Sequence, residues 1–277
     1  MEEGRPSTTA HGAAALRAAH QLLDVPTIID DPIAVPLAGS DVAAALRANP
    51  APFQTPERRV LRAFIVARSR YAEDELGRAV ARGVSQYAIL GAGLDSFAYR
   101  NPYPPARLRV FEVDHPATQR WKRTRLADAG IAIPDALVFA PVDFERETLA
   151  DGLARVGFDR RIPAFFSWLG VTVYLTKAAV METLGFVASC AAGTTIVFTF
   201  VPPTPSRGTT ALAERTAEMG EPWLTYFDPA ALADDLRRMG FTRVEDVGPA
   251  ETNRRYFDGR GDGLRVGGLG HLMTAEV

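Results

Sequence analysis

Tyr87-Ala88-Ile89-Leu90-Gly91-Ala92-Gly93-Leu94-Asp95-Ser96 decides how the rest of the chain reads. Its apolar run stops abruptly at Gly91, as a short buried strand does on meeting a turn. Glycine at 91 and 93 lets the backbone turn tightly and approach a ligand with no Cβ in the way. The next strand candidate, Leu108 to Val113, ends in Glu112-Val113-Asp114, with Asp114 lying 23 residues beyond Gly91. In an open parallel sheet, ligands sit beyond the carboxyl ends of the strands, where strand order reverses. A carboxylate there can accept both hydroxyl hydrogens of an adenosine ribose. The glycine turn alone also reads as a ligand-free strand-to-helix connection. Turn and acidic strand end together form the pattern of a nucleoside-containing cofactor site.

Outward from this stretch, strands and helices alternate. Leu137-Val138-Phe139, Ala164-Phe165-Phe166 and Thr194 to Val201 read as further strands. His115-Pro116 opens a helix that runs to Gly130, and Glu145 to Leu153 reads as the next. Thr176 caps the helix carrying Val180, Leu184 and Val187, and Asp228-Pro229 opens one that closes at Gly240. Phe241 to Val247 reads as a strand, and Leu264 to Leu269 as a final, glycine-rich one with no helix before it. Strands separated by helices of this length imply a parallel sheet with right-handed crossovers, and the irregular ending allows one antiparallel strand.

Residues 1–82 show no strand pattern. Asp31-Pro32 reads as a helix start, and Arg58–Arg82 as an amphipathic helix with Val60, Leu61, Phe64, Ile65 and Ala67 at helical spacing. The expected organisation is a helical N-terminal extension over 1–82, acting as a lid, and one α/β unit over 83–277.

Composition limits the partners. The 277 residues are 47% hydrophobic and 23% charged, with 31 basic against 33 acidic side chains. A net charge of −2 gives no reason to expect a nucleic acid or an anionic membrane. The single Cys190 excludes an internal disulfide and thiolate metal clusters, so no metal is expected. The polar start predicts no secretory signal, no run reaches the roughly 20 apolar residues of a membrane span, and the expected location is cytoplasmic. The expected assembly is a monomer or homodimer. Only Lys122 and Lys177 are lysines, which leaves 29 arginines and makes any single arginine weak evidence of a site.

The cofactor follows from the turn. A dinucleotide fingerprint asks for a third glycine where Ser96 stands, and Asp95 places negative charge where phosphates would lie. The cationic amino and sulfonium groups of S-adenosylmethionine are compatible with Asp95. A nicotinamide-dependent oxidoreductase remains the enzyme alternative, and a non-catalytic S-adenosylmethionine-binding regulator the other.

Five motifs recur in one order: Arg68-Ser69-Arg70-Tyr71-Ala72-Glu73-Asp74-Glu75-Leu76, Ile89 to Ser96, Phe111 to Pro116, Pro141-Val142-Asp143-Phe144, and Gly170-Val171-Thr172-Val173-Tyr174-Leu175. Together they resemble the leucine carboxyl methyltransferase family, and more closely its bacterial S-adenosylmethionine-dependent O-methyltransferase branch. The resemblance implies a class I methyltransferase Rossmann-like fold, a seven-stranded, mostly parallel sheet with its last strand antiparallel. It also implies roles. Arg68 pairs with the methionine carboxylate, Gly91, Ala92 and Gly93 pass under the cofactor, and Asp114 holds the ribose with Glu112 as helper. Asp143 and Phe144 border the adenine. Leu169 stands where the wider family usually carries a cofactor-contacting glutamate.

The implied reaction moves a methyl group in line to an oxygen of a small-molecule acceptor. A carboxylate is already ionised at neutral pH and needs no base, whereas a phenol benefits from one. His115 and Tyr174 are the candidates nearest the chemistry, and His115 reads equally as a helix-start residue. No residue is assigned as catalytic base. Arg17, Tyr71, Tyr174, Trp223, Tyr226, Arg254 and Tyr256 are candidates for the acceptor pocket, each of which also reads as packing or surface.

Overall fold

The computed structural model describes residues 8–143, 146–203, 207–268 and 270–277. Four helices come first: α1 (Thr8–Leu23), α2 (Ala34–Ala38), α3 (Ser40–Ala48) and α4 (Pro56–Ala81). Thr55 caps α4 by accepting from the Arg58 N–H at 3.4 Å, and Pro56 takes the first helical position, where no N–H is needed. Then follow β1 (Gln86–Leu90), β2 (Arg109–Asp114), α5 (Pro116–Asp128), β3 (Leu137–Pro141), α6 (Leu149–Arg155), β4 (Ala164–Trp168), α7 (Lys177–Ala188) and β5 (Thr195–Phe200). The chain ends with α8 (Arg207–Glu218), α9 (Pro229–Met239), β6 (Arg243–Val247), α10 (Pro249–Tyr256) and β7 (His271–Glu276).

The seven strands form one sheet in the order β3-β2-β1-β4-β5-β7-β6. Strand β7 runs antiparallel to both β5 and β6, while the pairs from β3 across to β5 are all parallel. The structure thus has the mostly parallel Rossmann-like sheet with a reversed last strand. That reversed strand is not Leu264 to Leu269. Gly267 and Gly268 offer no side chains to pack, and Leu264 and Val266 instead join Ala63, Phe64 and Ala67 of α4. The strand falls on 271–276, where Leu272, Met273, Thr274 and Ala275 are all buried; Leu269 lies outside the described residues.

Side chains alternate across the sheet with period two. Ala88 and Leu90 join Phe111, Phe166 and Phe198 on the face covered by α6, α7 and α9. Tyr87 and Ile89 join Phe165 and Val197 on the other face, against Tyr71, Leu76 and Val80 of α4. With both faces covered, β1, β4 and β5 are buried along their whole length, which is why they read as nearly continuous apolar runs.

The helical N-terminus is pinned from below. Asp24 is held by Arg62 Nε at 2.7 Å and Arg62 Nη2 at 2.8 Å, and by a His20 ring nitrogen at 2.8 Å. Burial pushes the Asp24 carboxyl up, but His20 and Arg62 outweigh it and hold it below its ordinary value. The other ring nitrogen of His20 accepts from the Ile28 N–H at 2.8 Å. Asp31 does not start a helix as expected. Its carboxylate accepts from Ser96 Oγ at 2.5 Å and lies 3.3 Å from Arg100 Nε, so α2 begins only at Ala34. The helix expected from residue 145 begins at Leu149, because Thr148 is the residue that caps it.

Candidate active site

Strand order reverses at β1, which pairs with β2 on one side and β4 on the other, so the carboxyl ends of these strands open a cleft. The turn after β1 floors it. Gly91 and Gly93 adopt φ +64° and +48°, which residues with a Cβ rarely take. A Cβ on Gly91 would fall 2.5 Å from Val171 Cγ2, and one on Gly93 would fall 3.2 Å from Ala10 Cβ. The turn is therefore clamped between the loop after β4 and the roofing helix α1.

Asp114 closes the end of β2. Its Oδ2 accepts from the Gly93 N–H at 2.5 Å, and its Oδ1 from the His115 N–H at 2.7 Å. Burial pushes its carboxyl above the ordinary value, and these two backbone donors pull the other way. Each oxygen keeps a further acceptor site, so the carboxylate can still receive a ribose hydroxyl. Strand spacing brings Glu112 to the same face of β2, but about 7 Å further back. There Lys122 of α5 lies 2.7 Å from its carboxylate, with both side chains buried. Burial pushes the Glu112 carboxyl up to about 7, partly offset by Lys122. Glu112 is thus part of the buried support behind Asp114 and not of the cavity wall.

The cleft deepens into a cavity of about 1380 Å³. Sites for one small ligand usually run to about 300–1,000 Å³, so this one has room for two molecules side by side. Arg68 reaches it from α4. Positive φ at Gly170 (+75°) and the absence of a Cβ make space for its guanidinium, whose Cζ lies 2.9 Å from where a Gly170 Cβ would sit. Leu169, also on the wall, supplies no carboxylate to it. No described residue hydrogen-bonds or ion-pairs with the guanidinium. Burial lowers the pKa of Arg68 to about 10, opposed by the neighbouring Tyr174 and Asp95. With no ion pair among the described residues, this cation faces the cavity and has donors to offer a carboxylate.

Of the other sequence candidates, Ala92, Arg17, His115, Asp143, Tyr174 and Trp223 line the same cavity. Arg17 donates to the Leu94 carbonyl and lies 3.8 Å from Asp31 and 3.9 Å from Asp95. The His115 ring accepts from the Ala117 N–H at 3.2 Å and so caps α5, which makes it a poor proton acceptor for substrate. Asp143 pairs with Arg146 at 3.5 Å. Burial raises the pKa of the Tyr174 hydroxyl. The Trp223 indole N–H is buried and faces the Tyr174 hydroxyl, whose pKa it pulls down against burial. Phe144 lies outside the described residues.

Four pocket candidates lie elsewhere. Tyr71 points under the sheet, where its hydroxyl meets Thr274 of β7 at 2.7 Å. Tyr256 donates to Asp74 at 2.8 Å. Arg254 is exposed on α10 and pairs with Glu251. Tyr226 is exposed, its ring 6.4 Å from that of Trp223, and is not on the wall. Missing from the sequence reading are Arg58, Phe64 and Ile65 of α4 and Leu212 and Arg215 of α8, all on the wall. A heptad-like row at 58, 61, 65 and 68 was the available signal.

Sheet order, glycine turn and acidic β2 end together define a class I methyltransferase fold. A solved Thermobifida fusca protein described as a methyltransferase has the same fold, with a TM-score of 0.60, 19% identity, and coverage of 99% of this chain and 96% of that one. The leucine carboxyl methyltransferase family model matches residues 10–188. A Bacillus subtilis (strain 168) protein named as an S-adenosyl-L-methionine-dependent methyltransferase is 32% identical over 302 residues, covering 99% of each chain. A Mycobacterium avium (strain 104) protein of the same description is 34% identical over 206 residues, covering 71% of this chain and 68% of its own. The chain belongs to the leucine carboxyl methyltransferase family, and with it to the S-adenosylmethionine-dependent methyltransferases.

Proposed function

We propose that the chain methylates an oxygen, carboxylate or hydroxyl, of a small-molecule acceptor. The observation that carries the cofactor part of this reading is Arg68, a guanidinium with no ion pair among the described residues, on the cavity that the glycine turn and Asp114 also line. Those residues fit the cofactor: Arg68 for its carboxylate, Asp114 for its ribose hydroxyls, and the Gly91–Gly93 turn for close approach of the backbone. Asp143 borders the adenine, and Leu169 packs beside the methionine end. When bound, S-adenosylmethionine supplies a methyl on sulfonium sulfur, which the acceptor oxygen displaces in line while the C–S electron pair stays on sulfur.

The residues near Arg68 favour an acceptor that is already ionised. Tyr174 is kept protonated by burial and serves as a hydrogen-bond donor that orients the acceptor. The nearby Glu221 carboxylate is engaged by the Thr8 N–H at 2.8 Å and by the Thr9 hydroxyl. Helix α1 and the segment around Trp223 exclude water and hold the acceptor in line, and such positioning is worth several kcal/mol of barrier.

The test has two parts. Calorimetric titration of S-adenosylhomocysteine should show binding that Asp114→Ala weakens at least tenfold. A panel of carboxylic acids and phenols, incubated with S-adenosylmethionine, should then give an O-methylated product by mass spectrometry. Unchanged affinity in Asp114→Ala would sink the site assignment. Cofactor binding without product from any oxygen acceptor, alongside product from amines, would sink the oxygen specificity.

A further inference from the structure

Helix α4 presents Arg58, Leu61, Ile65 and Arg68 to the cavity, at positions i, i+3, i+7 and i+10 of one helical face. Phe64 widens the apolar middle of this row. At 1.5 Å rise per residue, the two arginines stand about 15 Å apart along the helix axis. The inner one is assigned above to the cofactor. The outer one has no such use.

The facing wall repeats the arrangement. Leu212 and Arg215 of α8, with Met219 just beyond it, are spaced i, i+3 and i+7, and all three line the cavity. Leu212 packs in the cluster that contains Leu61 and Phe64, so Arg58 and Arg215 lie one turn from leucines that share a seam. Neither arginine side chain has a carboxylate or a hydrogen-bond acceptor among the described residues. Arg58 stands over the Phe53 ring at 5.7 Å. Met219 and Leu224 line the cavity yet are 41% and 55% exposed, which places apolar surface at its mouth. Glu221 lies toward Tyr174 and is engaged by Thr8 and Thr9.

Two cations at the mouth, an apolar wall behind them and a methyl-transfer end about 15 Å further in describe a ligand with matching parts. We propose that the acceptor is an amphiphilic anion whose charged group is bound by Arg58 and Arg215. Its apolar body lies along Leu61, Phe64 and Ile65, and its methylated oxygen sits at the inner end beside Tyr174. The anionic group is distinct from the oxygen that receives the methyl. This inference rests on the methyl-transfer reading above and adds the class of acceptor to it.

The probe is ω-hydroxydodecanoate, whose carboxylate serves as the anionic group and whose neutral hydroxyl stands in, for binding only, at the methyl-receiving end; it is titrated calorimetrically into the full chain saturated with S-adenosylhomocysteine. Dodecanediol is the neutral control. The acid should bind about tenfold more tightly than the diol, as two solvent-facing charge contacts supply. Arg58→Gln with Arg215→Gln should abolish that preference and leave S-adenosylhomocysteine affinity unchanged, and the double lysine variant should restore most of it. Both side chains are exposed, so the substitutions leave the core intact. Equal affinity for acid and diol, or a preference that survives the double glutamine variant, overturns the proposal while cofactor binding persists. Failure of S-adenosylhomocysteine to bind overturns the reading beneath it, and this one with it.

Discussion

Replacing Arg68 by methionine separates a binding role from a structural one, because the two predict opposite changes. Methionine keeps an apolar stem of similar reach and removes the guanidinium. Burial is the chief cause that brings the pKa of Arg68 down to about 10, well below the ordinary arginine value. At 1.36 kcal/mol per unit this places the penalty for holding the charge at about 3 kcal/mol, reduced to about 1–3 kcal/mol by its contact with the open cavity. A base whose folded-state pKa is depressed destabilises the fold while it is charged. Ligand-free Arg68→Met should therefore be more stable than the wild type, melting a few degrees higher. Its affinity for S-adenosylhomocysteine should fall by about 2–4 kcal/mol, the worth of a charge-assisted two-point contact, or roughly 30- to 1,000-fold. Methylthioadenosine shares the adenosine but has no carboxylate, and it should bind both proteins within about twofold. Calorimetric titration of both ligands into both proteins closes a cycle that isolates the carboxylate term. Equal losses for the two ligands, or a lower melting temperature in the ligand-free variant, would refute the assignment.

Two further perturbations test the support behind the site. Gly91→Ala places a Cβ 2.5 Å from Val171 Cγ2 at φ +64°, and chemical denaturation should show it destabilised by about 2–4 kcal/mol. Adding Val171→Ala should recover only the steric part, since the backbone strain remains. The Glu112–Lys122 pair makes a pH prediction. A carboxyl raised to about 7 in the fold binds its proton more tightly there than in the unfolded chain. Its contribution is thus fully present below pH ~4.5 and is lost as pH rises through ~7, by about 3 kcal/mol. Melting curves of the wild type against Glu112→Gln with Lys122→Met should diverge over that window and run parallel outside it; curves parallel throughout would disprove it.

What could be read ahead of the structure follows from where information is local. Strands β1, β4 and β5 are legible because burial on both faces favours nearly continuous apolar runs. Thr176 and Asp228 announce their helices because a cap is a contact within three residues. The glycine turn and Asp114 are equally local in meaning. Depth along a strand is not. Glu112 and Asp114 share a face, and only the packing of α5 reveals that Lys122 claims the inner one. Tyr71 carries a pocket reading and a packing reading side by side in sequence, because its partner, Thr274, lies 203 residues away. Arg58 and Arg215 acquire meaning only when α4 and α8 meet through Leu61 and Leu212, about 150 residues apart.

The placement of β7 between β5 and β6 also bears on how the molecule assembles. Strand β6 is made first, yet in the finished sheet its partner is β7. Until residues 271–276 arrive, β6 has no neighbour to dock on, and β5 presents an unpaired edge of apolar side chains. Closing that gap joins segments about 75 residues apart, the kind of non-local pairing that is slow and leaves edges open to the wrong partner meanwhile. Strand β6 is the one strand after β1 with no sheet partner made before it, so the nascent chain is most vulnerable to aggregation after β6 has emerged and before β7 has.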